Sequence, residues 1–304
     1  MMNIPFVKTN LYGIVVSSIL LAITLISLSF KGLTLGLDFT GGVSLELKYE
    51  QKADLERIRQ SISKIENANF VVLNYGSDEN VLIKFQSDEE LSINADTVIN
   101  QLESDNYLGT VEKSETIFPQ IGEELRDKGG IAILVAMLVI LVYIIFRFQI
   151  KFGYGAIAAL FHDVLIILGI FSVFNLVFDL SVLAALLAIV GYSLNDSIVV
   201  SDRIRENFMD ENKKGSTEVL INESLNQVFA RTIITSFTTL LVLVALLVAG
   251  GEVLKNFSLA LAVGVIVGSY SSIYIVVRVL LSTNLTKKDM EVVKNEPEES
   301  YSLD

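Results

Sequence analysis

The residues most able to do chemistry in this sequence sit inside long apolar runs. Asp196 closes the stretch Gly191-Tyr192-Ser193-Leu194-Asn195-Asp196-Ser197, the most polar segment within any of those runs. A carboxylate at membrane depth costs a few kcal/mol on insertion scales, so it faces other helices or water and marks a functional position. A cation is at hand in Arg231, predicted at similar depth because one helix runs inward and the next outward. Asn195 shares the carboxylate's neighbourhood. Thr232, Thr235, Ser236, Thr238 and Thr239 extend a polar stripe beyond Arg231, and Ser269, Ser271 and Ser272 reach the same half of the membrane. A titratable acid, a fixed cation and hydroxyls that hold water are the parts of a proton relay. The same residues also suit a static ion pair, with the arginine reaching out to the interface.

Three further groups stand out. His162-Asp163, expected at the cytoplasmic mouth of the third helix, fits either proton access or an interfacial cap. Gly191 lies one turn from Asn195, and Ala260, Gly264, Gly268 and Ser272 place a small residue at every fourth position, a pattern that lets helices approach closely. Gly36, Asp38, Thr40, Gly41 and Gly42 fall in Leu35-Gly36-Leu37-Asp38-Phe39-Thr40-Gly41-Gly42. Paired glycines permit backbone shapes that other residues avoid, and Asp38 and Thr40 can bond exposed amides. This segment reads as a structural turn, or as a grip on a substrate.

Composition removes other chemistries. There is no cysteine and a single histidine, so disulfides, thiolate nucleophiles and a metal site built from several histidines are excluded. No His-Glu-x-x-His or Gly-x-Ser-x-Gly pattern occurs, so no enzymatic activity, cofactor or metal is expected. A formal charge of -12 argues against a nucleic-acid partner.

The elements that must position these residues are membrane spans. Of the 304 residues 52% are hydrophobic and 19% charged, which is unlike a soluble domain. Apolar runs at about 11–30, 130–148, 153–175, 180–201, 229–250 and 256–281 each approach the roughly 20 residues that cross a bilayer. The first is too long for a signal-peptide core and lacks a cleavage site, so it reads as a retained helix. Arg147, Lys151, Arg203, Arg205, Lys213, Lys214, Arg278, Lys287 and Lys288 alternate along the chain as cytoplasmic flanks should. Asp179, Glu252 and Lys255 occupy the opposite connections. Both termini are then cytoplasmic and residues 31–128 extracytoplasmic. Within that segment, period-two alternation at 43–49 predicts a strand. Leu55, Ile58, Ile62 and Ile65 predict a helix. Strands at 69–75 and 80–85 flank a turn at 76–79. Leu91, Val98, Ile99 and Leu102 predict a second helix, and 110–118 a last strand. The order β-α-β-β-α-β is that of a ferredoxin-like domain, which names no function. The expected organisation is 1–30 (cytoplasmic start and first span), 31–128 (outer α+β domain), 129–283 (spans two to six) and 284–304 (acidic tail). The fold class is a membrane all-α bundle of six helices plus that domain.

With these motifs in order, the chain resembles the SecF group of the SecD/SecF protein-export family over nearly its whole length. The segment 35–42 is similar to the family signature after the first helix. Phe161-His162-Asp163-Val164 resembles its third-helix motif. Residues 191–207, reading GYSLNDSIVVSDRIREN, match SecF rather than the sister SecD. Arg231-Thr232-Ile233 with Thr235-Ser236, and the segment 264–272, complete the set. Ser201 departs from the aromatic residue usual there, which touches local packing only. The resemblance implies membership of the resistance-nodulation-division superfamily, pairing with SecD, and contact with the SecYEG channel and YajC. It implies use of the proton-motive force in late steps of preprotein export from the bacterial inner membrane. It also places Asp196 and Arg231 among the charged residues linked to proton transport, together with an aspartate from SecD. The alternatives are a small-molecule or lipid exporter of the same superfamily, or a purely structural assembly subunit.

Overall fold

The structure is a computed structural model that describes residues 4–65, 70–85, 94–117, 119–147, 149–287 and 289. The expected tail at 284–304 therefore lies almost wholly outside the described residues, as do Leu91, Asn69, Phe118 and Lys288. Six helices are long and apolar enough to cross a membrane: α1 (Phe6–Phe30), α5 (Pro119–Arg147), α6 (Ile150–Val173), α7 (Leu180–Met209), α8 (Thr217–Ala249) and α9 (Gly251–Ser282). Their apolar windows are 56% buried in α6, α7 and α9 but only 22%, 11% and 17% buried in α1, α5 and α8, so the first three form the inner layer and the others sheathe it.

Helix ends extend well past the apolar runs. Helix α8 starts at Thr217, where Ser216 caps it by accepting from the Val219 amide. Arg231 is thus deep within α8 rather than at its beginning, a correction to the sequence reading. An amphipathic first stretch carries Leu220, Ile221, Ser224 and Leu225 into the core and keeps the helix going before the apolar run opens. Helix α7 likewise continues through 202–207 to Met209. Helix α5 begins at Pro119, so the boundary expected at 128 falls inside a helix.

Between α1 and α5 the chain forms β2 (Gly42–Lys48), α3 (Leu55–Ile62), β3 (Phe70–Tyr75), β4 (Ser77–Phe85), α4 (Ala95–Ser104) and β5 (Thr110–Ile117). The strands make one antiparallel sheet in the order β3-β4-β2-β5. One face of it buries Val43, Leu45, Leu47, Val72, Val81 and Ile83 against Ile58 and Ile62 of α3 and Val98 and Leu102 of α4. The hairpin turn is tighter than expected: β4 begins at Ser77, and Gly76, at φ +73°, makes the reversal together with a bulge at Asn74/Tyr75.

The segment 33–42 docks this domain on the bundle. Strand β1 (Thr34–Leu35) pairs in parallel with β6 (Val177–Phe178), which joins α6 to α7, and the Gly36 amide donates to the Phe178 carbonyl at 2.8 Å. A single turn of helix, α2 (Leu37–Thr40), buries Phe39 against Phe178 with ring centroids 5.8 Å apart. Gly41 and Gly42, at φ +76° and +147°, then swing the chain into β2, conformations that side chains resist.

Asp105 ties α3 to α4. It accepts from Ser61 Oγ at 2.6 Å, Gln101 Nε2 at 3.1 Å and Lys64 Nζ at 2.7 Å. These donors, Lys64 foremost, hold its carboxyl down at about 2. A depressed carboxylate stabilises the fold above its unfolded value, and that contribution is lost as pH falls through the folded value. Wild-type chain should therefore melt above Asp105→Asn near neutral pH. The gap should close between about pH 4 and pH 2 in thermal scans of the full chain; a gap constant across that window would remove the charge from the argument.

Candidate functional site

Buried polar side chains gather where α6, α7 and α9 meet. Asp196, near the middle of α7, is 3% exposed and accepts a hydrogen bond from Ser269 Oγ of α9 at 3.2 Å. Ser269 is in turn 2.5 Å from Ser236 Oγ of α8, so three helices contribute to one chain of oxygens. Close approach makes this possible. A Cβ built on Gly268 would stand 3.1 Å from the Ser193 Cβ of α7, and one on Gly264 only 2.4 Å from Ile189 Cδ1. These two glycines pack α9 on α7 as the small-residue pattern predicts. Gly191 does not: nothing lies within 4 Å of its added Cβ, and Asn195, on the same face, is exposed. That face of α7 points away from its own bundle.

The structure separates the other residues predicted to join Asp196. No ion pair within 4 Å links Asp196 to Arg231 among the described residues. Arg231 is within Coulombic range of the carboxylate, but its exposed side chain lines a groove with Ile198, Val199, Asp202, Arg203, Gln227 and Val228. Ser272 turns back to the Ser269 carbonyl at 2.9 Å, and Ser271 bonds Asp163 instead. The threonine stripe of α8 also turns back: Thr235, Thr238 and Thr239 donate to carbonyls of their own helix. A hydroxyl in apolar surroundings satisfies itself in this way when no side chain offers better.

His162-Asp163 lies near the middle of α6, not at its mouth, with exposures of 4% and 1%. Asp163 Oδ2 accepts from Ser193 of α7 at 2.6 Å and Ser271 of α9 at 2.8 Å, and Oδ1 is 2.9 Å from His162 Nδ1. Ser236 and Ser269 were among the hydroxyls expected here, and Ser193 is the partner that spacing alone did not single out. Its signal was the small residue facing it, Gly268 of α9.

The motif at 36–42 is bound to the same helix. Asp38 Oδ2 accepts from the Leu180 amide at 2.9 Å, while Asp179 caps that helix start by accepting from Val182 N at 3.0 Å. Two carboxylates thus meet the positive end of the α7 dipole. An added Cβ on Gly36 would stand 3.0 Å from Asp179 Cβ, so a side chain there would require Asp179 to shift by a few tenths of an ångström. Thr40 Oγ1 bonds backbone carbonyls at Gly36 and Gly41.

Comparison with known proteins gives the family context. The family described as "Protein export membrane protein SecD/SecF, C-terminal" matches residues 98–286, and the "SecD/SecF GG Motif" matches residues 26–53. A protein translocase subunit SecF of Pseudomonas aeruginosa is 46% identical, covering 95% of this chain and 96% of that protein. The SecF of Escherichia coli O157:H7 is 38% identical over 96% of this chain and 92% of its own. A crystal structure of SecDF, a translocon-associated membrane protein from Thermus thermophilus, superposes with a TM-score of 0.79 at 38% identity. That match covers 93% of this chain but 39% of the SecDF chain, so this chain spans about two-fifths of its length.

The α7–α9 contact generates a paired expectation. Gly268→Ala pushes Ser193 outward, and overpacking of this kind costs about 1–3 kcal/mol. Gly191→Ala meets nothing and should leave stability unchanged or slightly raised, as alanine favours helix. Thermal melting of both purified variants checks this; equal midpoints would contradict the packing described.

Proposed function

The chain belongs to the SecF group of the SecD/SecF protein-export family, and on that premise we propose that it is a proton-driven, non-enzymatic subunit of the protein translocase. It works with a SecD-type partner, a reading supported by the match to part of a SecDF chain. With it, the chain uses the proton-motive force to assist late steps of preprotein movement. The SecYEG channel, YajC and the unfolded preprotein are the further partners this reading names. The chain lies in the bacterial inner membrane with both termini cytoplasmic, an orientation supported by its alternating basic flanks. The β2–β5 domain is extracytoplasmic and ferredoxin-like, a reading its strand order supports.

One observation carries the reading: the helix that bears Asp196 in its middle is held at its outer end by Asp38, at the root of the outer domain. Proton binding at Asp196 removes a charge from the contact with Ser269 and Ser236 and shifts how α7 packs on α8 and α9. Arg231 biases that charge from the groove side. Any movement of α7 then pulls on Asp38, and through α2 and the paired glycines on β2. One charge moved across 100 mV is worth about 2.3 kcal/mol, comparable to a few such contacts.

Two variants test the two ends of this link, in vesicles reconstituted with the SecD-type partner and the channel. Asp196→Asn should abolish proton-dependent stimulation of export; full stimulation would remove Asp196 from the mechanism. Asp38→Ala removes a helix cap worth about 1 kcal/mol. It should leave proton flux intact and reduce stimulation of export. Loss of both together would mean that Asp38 only supports folding.

A further inference from the structure

We propose that Asp163 and His162, held by Ser193 and Ser271, form a second proton-binding site in series with Asp196; this deepens, and rests on, the proton-driven reading above. Among the described residues, the buried aspartate and histidine side chains are His162, Asp163 and Asp196, and no buried lysine, arginine or glutamate accompanies them. All three belong to the α6–α7–α9 core. Asp163 already accepts from two serine hydroxyls, and its remaining oxygen faces His162 Nδ1 at 2.9 Å. With Asp163 ionised and His162 neutral, that contact takes the ring proton on Nδ1 and leaves Nε2 as an acceptor. Nε2 is buried and has no hydrogen-bond partner among the described residues. A buried polar atom without a partner is costly and calls for an explanation. A trapped water that exchanges a proton with the ring supplies one, since it can donate to neutral Nε2 and accept from Nε2–H once the ring is charged.

The groups that face this pair come from three helices. From α9, Tyr270 stacks on His162 with centroids 6.4 Å apart, and its hydroxyl bonds the Gly13 carbonyl and Ser17 of α1. Uncharged Asn10 of α1 holds the Tyr274 carbonyl beside it. From α7, Ser193 lies one turn from Asp196, and the buried Ser197 hydroxyl next to Asp196 also lacks a partner among the described residues. With Asp163 ionised and His162 neutral the pair carries one negative charge. A proton added at Nε2 gives an imidazolium–carboxylate pair of zero net charge. Its release to water held by Ser193 and Ser197, and on to Asp196, restores the starting state. No bond other than N–H and O–H forms or breaks.

The test measures proton flux into vesicles that contain the full chain with its SecD-type partner and an internal pH dye. His162→Gln, Asp163→Asn and Asp196→Asn are compared with wild type. Asp163→Asn should lower flux by about 100-fold, the low end of what a positioned acid–base group contributes. His162→Gln should move the midpoint of the flux–pH profile while the complex assembles and melts as wild type does. A purely structural histidine would change the melting temperature and leave that midpoint in place, which overturns the proposal. If Asp163→Asn fails to fold, the His162→Gln profile decides alone. Flux lost in Asp196→Asn but unaltered in the other two variants refutes this second site only. Flux retained in all three refutes the proton-driven reading as well.

Discussion

A carboxylate in the middle of an apolar bundle has only other side chains and trapped water as partners, because hydrocarbon offers none. The arrangement of this chain follows from how α6, α7 and α9 supply those partners. Small residues bring α9 against α7 at Gly264 and Gly268, and that proximity lets serines on facing helices reach Asp163 and Asp196. A helix pair held apart by leucines would leave both carboxylates stranded. The polar seam and the close packing are therefore one feature. The sheathing helices α1, α5 and α8 keep lipid from most of it.

The end of the bundle that carries the α6–α7 connection shows the same economy of parts. Helix α7 carries Ser193, Asp196 and Ser197 in its middle, and its first turn is capped by Asp179 and by Asp38 from beyond α1. The domain made of β2–β5 therefore does not hang from a free linker. It is rooted through β1, α2 and Phe39 on the α6–α7 connection, where Phe39, Phe171 and Phe178 pack together. A root packed in this way couples the α6–α7 connection to the β2–β5 domain.

Much of this was legible from the sequence, for physical reasons. Apolar length alone gave the six spans, because a bilayer imposes its thickness on any helix that crosses it. Period-two and helical spacing gave the strand and helix order between α1 and α5. Asp196 and the small-residue positions 264 and 268 were legible because each is costly or unusual in a membrane helix. Pairings were not. Arg231 was expected beside Asp196, yet the early start of α8 and the outward turn of that face set it in a groove instead. Ser271 and Ser272 have the same composition and neighbours, but their directions around α9 send one to Asp163 and the other to its own backbone. His162 was expected at the mouth of the third helix, yet the apolar run at 153–175 and α6 at Ile150–Val173 nearly coincide, so run and helix alike set it near the middle. Gly191 and Asn195 share a face as expected, but among the described residues nothing packs on Gly191.

The central claim is that the polar seam is retained for proton handling and costs the fold stability. Making a whole hydrogen-bonded group apolar, rather than removing one partner, separates the two roles, since matched apolar replacements can be neutral or stabilising. The direct measurement is the melting temperature and proton-driven export of the combined variant Asp196→Leu, Ser236→Ala and Ser269→Ala, set beside wild type. The expected result is a melting temperature equal to or above wild type with proton-dependent stimulation lost. A collapse in stability with activity falling only in proportion would contradict the claim and make the seam a structural clamp.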